Sequence, residues 1–220
     1  MRFRGFPPEL FDFYEGLHAE NSRAYWQAHK AMYDEQVRAP LEALCAELDD
    51  EFGPFNVFRP YRDVRFSKDK TPYKEWAAAA GHHEGSAYYF HLGTDGLYAG
   101  TGMYMMASDQ LARFREAVDA ESTGTEIAGL VEQLAAGGYD VSAHDELKTA
   151  PRGYPKDHSR IALLRRKGLV AGRSWPVTQW MHTAKAKGRI VETWEGAAPL
   201  NAWLQAHVGP SELPPDDRRR

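Results

Sequence analysis

SAYYFHLGTDGLYAGTGMYMM, residues 86–106, reads as two strands joined by a tight turn. Ser86 to Leu92 and Leu97 to Met106 hold the aromatic and apolar residues that fit a pleated, half-buried surface. Between them, Gly93-Thr94-Asp95-Gly96 supplies the Gly and Asp that hairpin turns demand. Neither an internal repeat nor the strand–helix alternation of a doubly wound sheet appears around this hairpin. The expected class is α+β: a single domain over residues 1–208, with an antiparallel or mixed sheet that includes this hairpin, packed with several helices. A charged, Pro-rich tail over 209–220 is expected to be disordered.

On the N-terminal side, Leu10, Phe13, Tyr14 and Leu17 follow helical spacing after Pro7-Pro8, which suits a first turn. Asn21 or Ser22 is placed to cap a second helix. Its apolar stripe is Trp26, Tyr33, Val37, Leu41, Leu44, Leu48 and Phe52, ending at Gly53-Pro54. Pro40 predicts a kink or break, because it lacks a donor and crowds the preceding turn. Asp63-Val64-Arg65-Phe66 alternates like a half-buried strand, Ser67 to Pro72 like a loop, and Lys74 to Gly81 is ambiguous between helix and strand.

On the C-terminal side, Ser108 is expected to cap a helix bearing Leu111, Phe114 and Val118. Thr123 with Glu126 makes a capping-box pattern before Ile127, Leu130, Val131 and Leu134, stopped by Gly137-Gly138. Pro151 to Pro155 reads as loop, Asp157 to Lys167 as helix, and Leu169 to Ala171 as a short strand. Val177, Trp180, Met181 and Ala184 mark a further helix, continuing toward Val191 and Trp194. Pro199 to Val208 gives the last.

The chain has 220 residues, 43% of them apolar, and a net charge of −4. That is enough apolar material for a sizeable core, and it argues against a protein coated in nucleic acid. Cys45 is the single cysteine, which excludes a disulfide framework and a thiolate zinc site; it reads as a reduced core residue. The first residues, MRFRGFPPELFDFY, carry no apolar signal segment, and no apolar run is long enough to span a bilayer, so a cytoplasmic protein without membrane contact is expected.

Charge is unevenly spread. RPYRDVRFSKDKTPYK, residues 59–74, sets six cations against Asp63 and Asp69, a formal +4. Residues 148–173 set eight cations against Asp157, a formal +7, so the remainder holds −15. Such asymmetry points to an anionic partner, or to pairing with the acidic remainder across the fold. In the first run, Arg62 and Arg65 offer guanidinium forks that match phosphate or carboxylate, and Lys68, Lys70 and Lys74 offer mobile point charges. Ser67 offers a hydroxyl, Tyr73 a phenol or stacking face. Asp63 either orients an arginine or pairs with Arg62 or Arg65.

In the second run, Lys148 and Arg152 are the candidate ligand cations. His158, beside Asp157, is the proton-transfer candidate, since its ordinary pKa lies near 6.5. Against that stands a His that merely packs at a helix start. Phosphate-loop, dinucleotide, nucleophile-elbow and zinc-protease signatures are missing. His82-His83-Glu84 holds ligand types at a spacing that rarely faces one ion, and His91 reads as a sheet-face residue. No metal and no cofactor is expected.

RPYRDVRFSKDKTPYK resembles the hallmark of a family of uncharacterised bacterial and fungal proteins, a domain of unknown function numbered 2461. The resemblance runs from about Asn21 to about Val208. Trp26, His29-Lys30, Tyr33 and Pro40 resemble its first helical block, and Gly100 to Arg115 its glycine-bearing strand and helix. Leu147-Lys148 through Pro151-Arg152-Gly153-Tyr154 to His158, then Leu164-Arg165 and Lys167, resembles its second basic motif. Ser159 and Met105-Met106 depart from prolines in the family pattern. The resemblance implies that both basic motifs matter, and it supplies no substrate or reaction.

Three readings stand at this point. The first is a site for a small phosphorylated or carboxylated ligand, with Asp63, Tyr73 and His158 as its catalytic candidates. The second is a single-stranded nucleic-acid module, in which Tyr61 or Tyr73 stacks bases. The third is a structural network of salt bridges without catalysis.

Overall fold

β3 (Ser86–Gly93) and β4 (Gly96–Met103) form the hairpin at the middle of a six-stranded antiparallel sheet. The computed structural model describes residues 2–65, 68–83 and 85–214. β1 (Phe55–Val57), β2 (Trp76–His83), β5 (Asp140–Ser142) and β6 (Leu169–Trp175) complete the order β1-β2-β3-β4-β6-β5. The class is α+β, as the hairpin implied. At the start of β4, Gly96 has φ 108°, and a Cβ there would come within 2.0 Å of the Trp175 carbonyl oxygen. Only glycine fits that approach.

The chain groups into two compact units. The first comprises Met1–His83, Tyr88–Ala99 and Ser174–Glu192; the second comprises Glu84–Ala87, Gly100–Arg173 and Thr193–Arg220. In the first, α1 (Pro8–Ala19) and α2 (Arg23–Met32) form where the apolar spacing places them. The Ser22 hydroxyl accepts the Tyr25 backbone N–H at 3.1 Å and caps α2. Pro40 does not break the helix. A π-helical segment, Tyr33–Arg38, links α2 to α3 (Ala39–Phe52), and Ala39 donates to the Asp34 carbonyl five residues back. Pro40 falls in the first turn of α3, where its missing donor is harmless. The whole predicted stripe from Trp26 to Phe52 is buried.

In the second unit, α4 (Ser108–Asp119), α5 (Glu121–Ala136) and α8 (Ala198–His207) bury Phe114, Val118, Ile127, Leu200 and Leu204. Two caps differ from expectation. Ala107, not Ser108, is the N-cap of α4, with the Gln110 side chain accepting the Ala107 N–H at 3.0 Å. α5 starts at Glu121, so Thr123 lies inside its first turn and donates to the Ala117 carbonyl instead.

Other expectations need correction. Of the strand expected at Asp63-Val64-Arg65-Phe66, Phe66 lies outside the described residues and Asp63 to Arg65 form none: the Asp63 carboxylate bonds locally to the Arg65 backbone and side chain, and such local bonds compete with a sheet ladder. Asp157 to Lys167 is helical only at α6 (Ile161–Leu164). Of the ambiguous stretch Lys74 to Gly81, Trp76 onward is strand, in β2. β4 stops at Met103, leaving Tyr104 and Met105 exposed. Val177 to Ala184 holds a 3-10 turn (Gln179–His182), and α7 (Lys185–Gly196) begins only after it. Gly209 and Pro210 accept hydrogen bonds from Gln110 and Arg113, and Ser211 bonds Asp109; the rest of the predicted disordered tail, 215–220, lies outside the described residues. Among the described residues no helix is long and apolar enough to cross a membrane.

Candidate functional site

The first basic motif is a loop closed by a neck. Arg62 N–H donates to the Pro72 carbonyl at 2.9 Å and Lys74 N–H to the Pro60 carbonyl at 2.8 Å, with Tyr61 and Tyr73 paired between them. Asn21 locks the neck by bonding both the N–H and the C=O of Tyr73, at 3.1 and 3.0 Å. Tyr73 is buried and stacked on Trp26, with ring centroids 4.4 Å apart and planes 8° apart. Burial raises its phenol pKa, so it stays neutral. Tyr61, 5.4 Å from Tyr73, stands half exposed at the rim.

Within the loop several cations are already engaged. Arg62 reaches Asp69 at 2.5 Å and the Thr71 hydroxyl. Arg65 grips Asp63 with two nitrogens, at 2.9 and 2.7 Å. Those hydrogen bonds hold the exposed Asp63 carboxyl down at about 2. Lys70 donates to the Val64 carbonyl at 2.9 Å. Lys68 is exposed, and Ser67 lies outside the described residues.

Arg59 and Lys74 are different. Among the described residues no carboxylate lies within ion-pair distance of either. The Lys74 ammonium sits over the rings of Trp76 and Phe58, at 5.0 and 5.3 Å. Burial, with Arg59 adding repulsion, lowers its pKa. The ammonium therefore meets ring faces rather than a counter-ion, and their attraction offsets only part of the cost of burial.

The second motif, in the second unit, is mostly committed to backbone. Arg160, whose side chain is only 12% exposed, donates to the Val118 and Asp119 carbonyls at 2.7 and 2.9 Å, tying down the last turn of α4. Arg165 Nε donates to the Leu147 carbonyl, and Leu147 N–H returns a bond to Arg165. Lys167 pairs with Asp145 at 2.5 Å. Arg166 is 3.5 Å from Glu146, while its buried Nε and Nη1 make no hydrogen bond among the described residues. His158 Nδ1 accepts the Arg160 N–H at 3.0 Å. The ring proton is thus assigned to Nε2, which faces Asp119 Oδ1 at 3.2 Å. Both ring nitrogens are occupied by the fold. Lys148 and Arg152 are exposed, and Tyr154 is half buried against the core of the unit.

Of the predicted residues, the first unit brings together Arg62, Asp63, Arg65, Lys70, Tyr73 and Lys74 around one loop and its neck. Lys148, Arg152 and His158 belong to the other unit. Sequence reasoning left out Arg59 and the sheet-face aromatics beside Lys74. Tyr89 alternates with His91, already read as a sheet-face residue, along β3, and Tyr98 lies on β4; the period-two pattern of β3 was the available signal. Cys45 is free and buried, with burial pushing its thiol up to about 12. Among the described residues no group of His, Cys, Asp and Glu is arranged to hold a metal.

Residues 9–203 match the family described as "Conserved hypothetical protein (DUF2461)". No curated protein and no solved structure matches the chain. The match covers both basic motifs and every strand of the sheet, and on that extent the chain belongs to the DUF2461 family of conserved hypothetical proteins.

Proposed function

We propose that the protein binds a small anionic ligand, phosphorylated or carboxylated, at the foot of the first basic motif. The observation behind this reading is Lys74, half buried, next to Arg59 and without a carboxylate partner among the described residues. Lys74 is partly desolvated and is repelled by the exposed Arg59, which is unfavourable, and an anion seated between them reverses the sign of that term. Arg62 and Arg65 serve the site by shaping the loop through Asp69 and Asp63, and Lys68 and Lys70 lie on the loop above it.

For the second motif a structural reading is favoured, because Arg160 and Arg165 spend their donors on backbone carbonyls. The test is a thermal-shift titration with inorganic phosphate and with succinate at low and moderate salt. A ligand that binds only the folded state must raise Tm. One of the two anions is expected to raise it in the wild type and not in Lys74→Met, which keeps the apolar stem. An unchanged response in Lys74→Met, or no response in the wild type, would refute the reading.

A further inference from the structure

The chain ahead of α1 is tethered to the rest of the first unit. Phe3 N–H donates to Glu47 Oε1 at 2.8 Å, and Phe6 N–H donates to the Met181 carbonyl at 2.8 Å. The Phe6 carbonyl accepts from His182 Nδ1 at 2.8 Å, which assigns the ring proton to that nitrogen. Gly5 between them has φ 124°, and a Cβ there would come within 2.3 Å of the His182 backbone. Only glycine lets the segment lie that close. These ties make it a fixed wall, unlike a terminus held by nothing.

Between this wall and the start of α3 lies a cavity of about 400 Å³, lined by Arg2, Phe3, Arg4, Gly5, Pro40 and Ala43. Every lining residue belongs to the first unit. The volume falls within the range of small-ligand pockets, roughly 300–1,000 Å³. Pro40 and Ala43 lie three positions apart on one face of α3, and their short side chains leave the space unfilled. Phe3 and Ala43 are buried, while Arg2 and Arg4 are exposed. The cavity therefore joins an apolar interior to a cationic mouth.

Among the described residues no carboxylate lies within ion-pair distance of Arg2 or Arg4. The acids beside the lining residues have other partners. Glu47 holds Phe3 N–H and Lys187 Nζ, the latter at 3.0 Å, and Glu42 holds Arg38 at 2.6 Å. The Glu47 carboxyl is kept below its ordinary pKa by Phe3 N–H first and Lys187 next, with Arg2 contributing least. Both guanidinium forks thus stay available to an incoming carboxylate, whose geometry they match.

We infer that this cavity binds a small monocarboxylate with an aliphatic body, its chain against Phe3, Pro40 and Ala43 and its carboxylate on Arg2 and Arg4. The cavity shares no lining residue with the first basic motif and does not depend on the anion reading above. An uncharged chain would leave the arginines unused. A small polyanion would set charge against apolar walls, which is costly.

Calorimetric titration with octanoate, acetate and octan-1-ol separates the two contributions. Octanoate is expected to bind at least about tenfold more tightly than acetate, because acetate buries almost no chain. It is also expected to bind more tightly than octan-1-ol. The double variant Arg2→Gln with Arg4→Gln alters only exposed side chains. There octanoate is expected to fall to the octan-1-ol level, with octan-1-ol itself unchanged. Ala43→Leu, which puts bulk into the cavity, is expected to weaken both octyl compounds. Lys74→Met is expected to bind octanoate as the wild type does. Octanoate no tighter than acetate, or no binding by either octyl compound, would overturn the inference. Octanoate binding that survives in the double arginine variant and is lost in Lys74→Met would also overturn it, and would assign the carboxylate to the first basic motif.

Discussion

The Asp63 carboxylate accepts two hydrogen bonds from the Arg65 guanidinium and a longer one, 3.3 Å, from its backbone N–H. Each bond favours the ionised form, so the group titrates at about 2 rather than in the ordinary range. A carboxyl held low in the fold adds stability above its unfolded pKa. That stability is lost as pH falls through the folded value, here between about 4 and about 2. In an NMR titration the Asp63 carboxyl is expected to keep its charge down to that range. In Arg65→Ala it is expected to return toward an ordinary carboxyl pKa. A variant that titrates like the wild type would show that Arg65 is not the cause. His158 illustrates the opposite limit of sequence reading. Its residue type and its neighbour Asp157 suggested a proton donor, yet its two ring nitrogens are held by Arg160 N–H and by Asp119, thirty-nine positions upstream.

At the scale of elements, the end of α4 depends on a residue far from it in sequence. The last carbonyls of a helix have no partner within the helix. Arg160 supplies one for Val118 and for Asp119, and also approaches Glu121 at the start of α5. Arg160→Ala is expected to destabilise the protein by roughly 1–3 kcal/mol, the range for stranding buried hydrogen-bonding groups. Arg160→Lys is expected to recover only part of it, because one ammonium cannot match the planar fork. The urea midpoint reads both, and a midpoint unmoved in Arg160→Ala would count against the bond. The neck at Tyr61 and Tyr73 follows the same logic. The Asn21 side chain accepts the Tyr73 N–H through Oδ1, and its Nδ2 donates to the Tyr73 carbonyl and to the Glu75 carboxylate. The helix stripe and the hairpin were legible in sequence because burial periodicity and turn chemistry are local. The strand expected at Asp63 was not, because a local carboxylate bond outweighed an alternation only four residues long.

For the whole molecule, charge segregation carries the argument. The chain is −4 overall, with +4 and +7 concentrated in the two basic runs and −15 elsewhere. A protein of that balance repels a polyanion at long range, although it offers at Lys74 a cation without an ion-pair partner among the described residues. No retardation of a random-sequence DNA duplex is expected in a gel at about 150 mM salt, where screening cuts long-range attraction. Retardation there would mean that the basic runs act as an open surface. The sequence by itself determined the α+β class, the central hairpin, the buried helix stripes, the family and the existence of two basic motifs. Each of these follows from patterns that a chain carries over a few turns or strands. Only the tertiary structure decided which cations are spent and which are left over. Arg62, Arg65, Arg160 and Lys167 read alike with Arg59 and Lys74 in sequence. They differ because carboxylates or backbone carbonyls engage the first four, while among the described residues no carboxylate forms an ion pair with Arg59 or Lys74. Coulomb and hydrogen-bond terms act through space, and a partner's distance along the chain does not predict its distance in the fold.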